Sequence, residues 1–99
     1  MAYKIVWTKN AKVDLEEIIT YLKDNWSVDV TGNFIIELFS KLEIISNYSF
    51  AGLRSSKVKG VRKILITQHT SLYYEFKENK INLLDFFDNR QDPDRDNCS

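Results

Sequence analysis

The chain has 99 residues, 43% of them hydrophobic and 13% aromatic, and its 14 basic side chains balance 14 acidic ones to a formal net charge of zero. That length supports one small domain, the apolar content excludes disorder along the whole chain, and zero net charge removes any global electrostatic signature of a nucleic-acid binder. A single cysteine, Cys98, excludes an internal disulfide, no Cys/His cluster suggests a metal, and no signal peptide or membrane-length apolar run is visible. No cofactor and no membrane contact are therefore expected, and the cytoplasm is the expected location.

Residues 3–7 alternate, with Tyr3, Ile5 and Trp7 on one face and Lys4 and Val6 on the other, which predicts a first strand. Thr8 and Asn10 offer capping side chains for a helix whose apolar stripe is Ala11, Leu15, Ile18, Ile19, Leu22 and Trp26. Asp14, Glu16 and Glu17 fall in its first turns, where the helix dipole favours acids. The run Asn25-Trp26-Ser27 breaks this helix, and Ser27 is placed to cap the next, striped by Phe34, Ile35, Leu38, Leu42 and Ile45. So short a break makes the pair an antiparallel hairpin. Gly32 disfavours helix by roughly 1 kcal/mol against Ala and leaves the start of the second helix open.

Residues 49–60 connect to three further strands, expected at 61–67, 72–77 and 81–87. Glu78-Asn79 suits a tight hairpin between the last two, because Asn tolerates positive φ. The only proline, Pro93, lies in residues 91–99, read as a polar C-terminal tail after a single domain spanning 1–90. The expected architecture is a two-layer α+β domain in the order β-α-α-β-β-β, a helical hairpin packed on an antiparallel-rich four-stranded sheet.

Neutral overall charge hides an uneven distribution. Residues 54–63 hold Arg54, Lys57, Lys59, Arg62 and Lys63 with no acid, whereas the helical hairpin is acidic and Asp85, Asp88, Asp92, Asp94 and Asp96 surround Arg90 and Arg95. One reading of the basic run is a solvated loop and strand edge; the other is a patch for phosphates or an acidic partner. Lys57 and Lys59 share a face by alternation, and Arg62 joins them if Gly60 introduces a bulge. Of Tyr73 and Tyr74, alternation sends one inward and the other outward. Trp7 and Trp26 read as core or helix-packing residues, and Cys98 as incidental.

The run Tyr3-Lys4-Ile5-Val6-Trp7-Thr8 followed by Ala11, Asp14-Leu15, Ile18 and Tyr21-Leu22 resembles the opening of the RelE/ParE superfamily of type II toxins, ParE branch. Val61-Arg62-Lys63-Ile64-Leu65-Ile66 and Leu72-Tyr73-Tyr74-Glu75 resemble its central strands, and Leu83 through Pro93 its last strand and the basic turn after it. The resemblance covers nearly the whole chain. It implies a growth-inhibiting toxin of a plasmid-stabilisation type, restrained by a cognate antitoxin in a hetero-oligomer. The ParE branch is associated with DNA gyrase; the RelE branch cuts messenger RNA on the ribosome.

Cleavage of RNA needs a base for the 2′-hydroxyl, an acid for the leaving oxygen and cations for the phosphate. By position, Lys57, Lys59, Arg62 and Arg90 resemble the basic residues of the RelE-like enzymes. Against that, the chain is neutral where such ribonucleases are strongly basic, and nothing aromatic follows Phe87 where they carry a late catalytic tyrosine. His69, the one histidine, reads as an exposed turn residue, or as a general base as in some relatives. The leading expectation is a gyrase-binding toxin that needs no catalytic residue. The alternatives are a metal-independent ribonuclease and a non-toxic binding module on the same fold.

Overall fold

The computed structural model describes residues 2–90. The polar segment at 91–99, with Cys98, lies outside the described residues. The chain runs β1 (Lys4–Trp7), α1 (Lys9–Asn25), α2 (Val28–Asn47), β2 (Leu53–Arg54), β3 (Val61–Leu65), β4 (Thr70–Lys77) and β5 (Lys80–Asp88). The two-layer α+β architecture is as expected, but the sheet has five strands in the order β1-β5-β4-β3-β2. The additional strand, β2, is two residues long and pairs antiparallel with β3. β1 lies parallel to β5, and the remaining pairs are antiparallel.

Both helices start where a hydroxyl side chain takes up a free N–H. The Ala11 N–H donates to Thr8 Oγ1 at 3.2 Å and the Val30 N–H to Ser27 Oγ at 3.1 Å. Thr8 also donates its hydroxyl to the Leu83 carbonyl at 2.7 Å, so the cap of α1 is tied to β5. The predicted stripes face the sheet: Ile18 and Leu22 of α1 and Phe34, Leu38, Leu42 and Ile45 of α2 pack with Leu72, Tyr74, Ile81, Leu83 and Phe86. Each such burial stabilises by about 1.5–3 kcal/mol. Trp7 stacks on Phe86 with ring centroids 5.8 Å apart, as a packing residue should.

Three local expectations are corrected. No acid occupies the first turn of α1; Asp14 is instead buried, where its Oδ2 accepts the Phe86 N–H at 3.1 Å. That bond compensates a backbone donor near the place where β4 and β5 slip register, Tyr73 opposing Asp85 and Tyr74 opposing Leu83. Second, Tyr73 does not face solvent. It is 1% exposed, packed with Val61, Phe87 and Leu84 in a small cluster on its own side of the sheet, while Tyr74 lies in the main core. Third, Trp26 is half exposed at the end of α1, with the Arg90 guanidinium carbon 5.3 Å from its ring centre. The hairpin at Glu78 and Asn79 has φ of 56° and 59°, the paired positive values that match the twist of two antiparallel strands.

Candidate functional site

The basic segment is shaped by contacts that hold an otherwise irregular connection in place. Tyr74 Oη donates to the Ser49 carbonyl at 2.9 Å and accepts the Gly52 N–H at 2.8 Å. Burial pushes the Tyr74 phenol up, and the Gly52 hydrogen bond and the Arg62 charge offset part of that effect. Arg62 Nη1 donates to the Gly52 carbonyl at 2.9 Å. A side chain at Gly52 would start 2.8 Å from both the Lys63 carbonyl and Tyr74 Oη, so the close approach requires glycine. Further along, the N–H groups of Lys57 and Val58 both donate to Ser55 Oγ at 3.2 Å, and Gly60 turns the chain back into β3 with φ of +83°.

The result is a cleft of about 820 Å³ bordered by Arg54, Lys57, Lys59 and Arg62, with Phe50 and Phe76 as its aromatic walls and no acidic side chain in its lining. The turn at Gly60 does bring Arg62 to the same cavity as Lys57 and Lys59. Their chemical states differ, however. Arg54, Lys57 and Lys59 are exposed and make no ion pair among the described residues. Arg62 is half-buried and its guanidinium is bonded to a backbone carbonyl. Phe50, 70% exposed, carried no signal in the sequence beyond being an aromatic residue in a polar, glycine-containing connection.

Arg90 is elsewhere. Its Nη2 and Nε donate to the two carboxylate oxygens of Asp88 at 2.8 and 3.2 Å, a forked pair. Asp88 is 2% exposed and also accepts the Thr70 hydroxyl at 2.7 Å and the Arg90 N–H at 2.9 Å. Burial pushes the Asp88 carboxyl up, but these donors and the Arg90 charge outweigh it and hold the group below its ordinary value of 3.8. Tyr21 Oη donates to the Arg90 carbonyl at 3.1 Å, pinning the chain after β5 to α1.

Arg90 borders a second, smaller crevice of about 180 Å³ with His69, Asn33 and Glu37. His69 Nδ1 lies 3.3 Å from Asn89 Oδ1 and Nε2 lies 3.3 Å from Gln68 Nε2, an arrangement satisfied by a neutral ring protonated on Nδ1. It is a half-buried turn residue with partners. Arg90 and His69 sit beside Thr70 at one end of β4, while β3 meets Glu75 near the other. Five residues of strand separate those ends, about 16 Å at 3.3 Å per residue. The four sequence-selected cations thus divide between two places: Lys57, Lys59 and Arg62 at the large cleft, Arg90 at the far crevice.

With this geometry, the comparison with known proteins is decisive at family level. The model of the ParE toxin of the type II toxin–antitoxin system parDE matches residues 5–93. The chain belongs to the ParE toxin family. Among curated proteins, none matches its sequence. Among solved structures, the chromosomal ParDE toxin–antitoxin system of Pseudomonas aeruginosa aligns with a TM-score of 0.73 and 18% identity over 88% of this chain and 96% of that one. The E. coli DinJ-YafQ toxin–antitoxin complex gives 0.60 and 11% over 92% and 97%. A free-state mutant of the E. coli toxin RelE gives 0.61 and 14% over 94% and 90%. At such identities the structural matches establish a shared fold, and the family model establishes membership. The chain is therefore a type II toxin of the ParE/RelE superfamily. Among the described residues of this ParE-family toxin, no helix is long and apolar enough to cross a membrane, and no cluster of His, Cys, Asp and Glu has the make-up of a metal site.

Proposed function

We propose that this toxin arrests growth by binding DNA gyrase, that the basic cleft is part of its contact surface, and that a cognate antitoxin neutralises it. The observation that carries the reading is the state of the four cations. Cutting RNA would require them to converge on one phosphate and change partners as charge develops. Arg62 is bonded into the wall of the cleft, and Arg90 is paired with a buried carboxylate at the other end of β4. The other two, Lys57 and Lys59, make no ion pair among the described residues and, with the neighbouring Arg54, suit adhesion better than phosphodiester chemistry.

The antitoxin reading is supported by the opposite side of the charge distribution. The helical hairpin carries Asp29, Glu37 and Glu43 on α2, alongside exposed Val28, Ile36 and Phe39. An amphipathic partner helix with an apolar seam and basic flanks fits that face. Exposed apolar groups of this size, rimmed by charge, mark interaction surfaces.

The test is a paired assay on purified toxin: supercoiling by gyrase, and cleavage of ribosome-bound messenger RNA. Inhibited supercoiling with intact transcripts is expected. Cut transcripts with unaffected supercoiling would replace this reading by the ribonuclease one, and loss of both activities in a chain that leaves growth unharmed would leave a binding module.

A further inference from the structure

We infer that a second copy of this chain occupies the basic cleft, seating one flank of its α2 there: the Phe39 ring between Phe50 and Phe76, the Glu43 carboxylate on Lys57 and Lys59. Each copy of the molecule carries both halves of this contact. One half is cationic and aromatic. The cleft of about 820 Å³ is bordered by Arg54, Lys57 and Lys59, walled by Phe50 and Phe76, and has no acid in its lining. Lys57 and Lys59 make no ion pair among the described residues. The other half is acidic and apolar. On α2, Asp29, Glu37 and Glu43 outnumber the one base, Lys41, which is itself paired with Glu37 at 3.1 Å. Val28, Ile36 and Phe39 are exposed on the same helix. Ile36, Phe39 and Glu43 follow one another at spacings of three and four, so they share a flank.

Charge decides which surfaces meet. α2 against α2 brings carboxylates together, and cleft against cleft brings cations together; both arrangements repel. α2 against the cleft attracts. A formal net charge of zero leaves no long-range repulsion between copies to oppose that contact. Size agrees with charge: Ile36 to Glu43 spans about 10 Å of helix, and a cleft of about 820 Å³ is about as wide in each direction. The aromatic walls are held ready. Phe50 lies between Ser49, whose carbonyl Tyr74 binds, and Gly52, tied to Tyr74 and Arg62. Phe76 is braced edge-on by Tyr3 at 4.7 Å. A ring entering between them gains aromatic contacts beyond the area it buries. A polyanion without a ring would answer the cations and leave the walls uncovered, whereas α2 carries both groups. One consequence rests on the gyrase reading above: association covers the surfaces used toward gyrase and antitoxin together, so the single chain is the active form and unopposed toxin limits itself as it accumulates.

The experiment is sedimentation velocity of the full chain, free of antitoxin, over a concentration series. The mean mass is expected to rise above that of one chain as concentration increases. Raising salt from about 0.15 to about 1 M shortens the Debye length from about 8 to about 3 Å and should weaken association at least about fivefold. Two variants separate the halves of the contact. Lys57→Glu with Lys59→Glu spoils the cleft and leaves α2 intact; Ile36→Ser with Phe39→Ser spoils α2 and leaves the cleft intact. Each alone should associate at least about tenfold more weakly than the parent. An equal mixture should recover complexes containing one chain of each kind, because each supplies the half that the other lacks. Thermal unfolding reports whether each variant is folded, and the substituted residues of α2 are exposed. A parent that stays a single chain up to about 1 mM would overturn the inference. So would a folded variant that associates alone as the parent does, since that contact joins like surfaces, or a mixture that stays as single chains. Poly-glutamate supplies the charge without the ring, and if it displaces the second copy at equal concentration the cleft is a general polyanion site and the inference falls. The gyrase reading fails separately: untouched supercoiling by a toxin that still associates removes that reading and leaves this contact standing.

Discussion

At the scale of single residues, one tyrosine, Tyr74, and one aspartate, Asp88, hold more of the structure together than the lysines that stand out in the sequence. Tyr74 serves Ser49 and Gly52 with one hydroxyl. Tyr74→Phe removes that oxygen and leaves the Gly52 N–H without its acceptor, so a loss of about 1–3 kcal/mol is expected in denaturant unfolding. Gly52→Ala should act in the same direction by forcing the clash with the Lys63 carbonyl. Asp88 carries a pH signature. Its folded-state carboxyl sits below the ordinary 3.8, so its contribution is fully present above that value and is lost as pH falls through the lowered one. Asp88→Asn strands the Arg90 guanidinium, with an expected cost of about 3 kcal/mol at neutral pH. Unfolding curves of the two proteins should converge on acidification below the ordinary carboxylate range; a gap independent of pH would contradict the role given to this pair. The sequence hid these roles because the partners of Arg62 are backbone carbonyls, and Asp88 is one of several acids near Arg90 with nothing to mark it as the buried one. It hid the burial of Asp14 for the same reason: an acid early in a helix looks like a dipole partner, and the N–H it serves belongs to a strand far along the chain.

At the scale of elements, periodicity was enough wherever burial is one-sided. The stripes of α1 and α2 apart from Trp26, the capping roles of Thr8 and Ser27 and the Glu78-Asn79 turn all follow from local pattern, and the structure has them where the pattern puts them. β2 was illegible because it is two exposed residues, Leu53 and Arg54, defined by pairing with β3 and by no alternation of their own. The start of α2 was ambiguous because Gly32 lies inside the helix, at Val28–Asn47, without a packing reason: a Cβ there meets nothing within 4 Å. Gly32→Ala should therefore stabilise the domain by up to about 1 kcal/mol. For a domain of this size that raises the thermal midpoint by roughly 4–8 °C. An unchanged or lowered midpoint would mean that the exposed face of α2 is not open.

Over the described residues, charge and apolar exposure separate into two faces. Basic groups gather at the β2–β3 side, while the hairpin presents acids around Val28, Ile36 and Phe39. Phe39→Glu should leave the thermal midpoint close to that of the parent, because the side chain is 62% exposed, yet should weaken capture by the antitoxin at least about tenfold if the ring is a central anchor of that interface. Growth arrest that the antitoxin no longer relieves is the cellular readout. If neutralisation survives, the hairpin is not the docking face.

The pairing of β1 with β5 has a bearing on how the toxin comes into being. Among the described residues, β1 has β5 as its sheet neighbour, and the cap of α1 bonds to β5 as well. During synthesis, then, the emerging helices have an unfinished sheet to pack on, and the sheet closes on β1 only when β5 is available. Contacts so distant along the chain are slow to form, because loop closure must precede them. The fold is accordingly complete only once β5 has been made and has paired with β1.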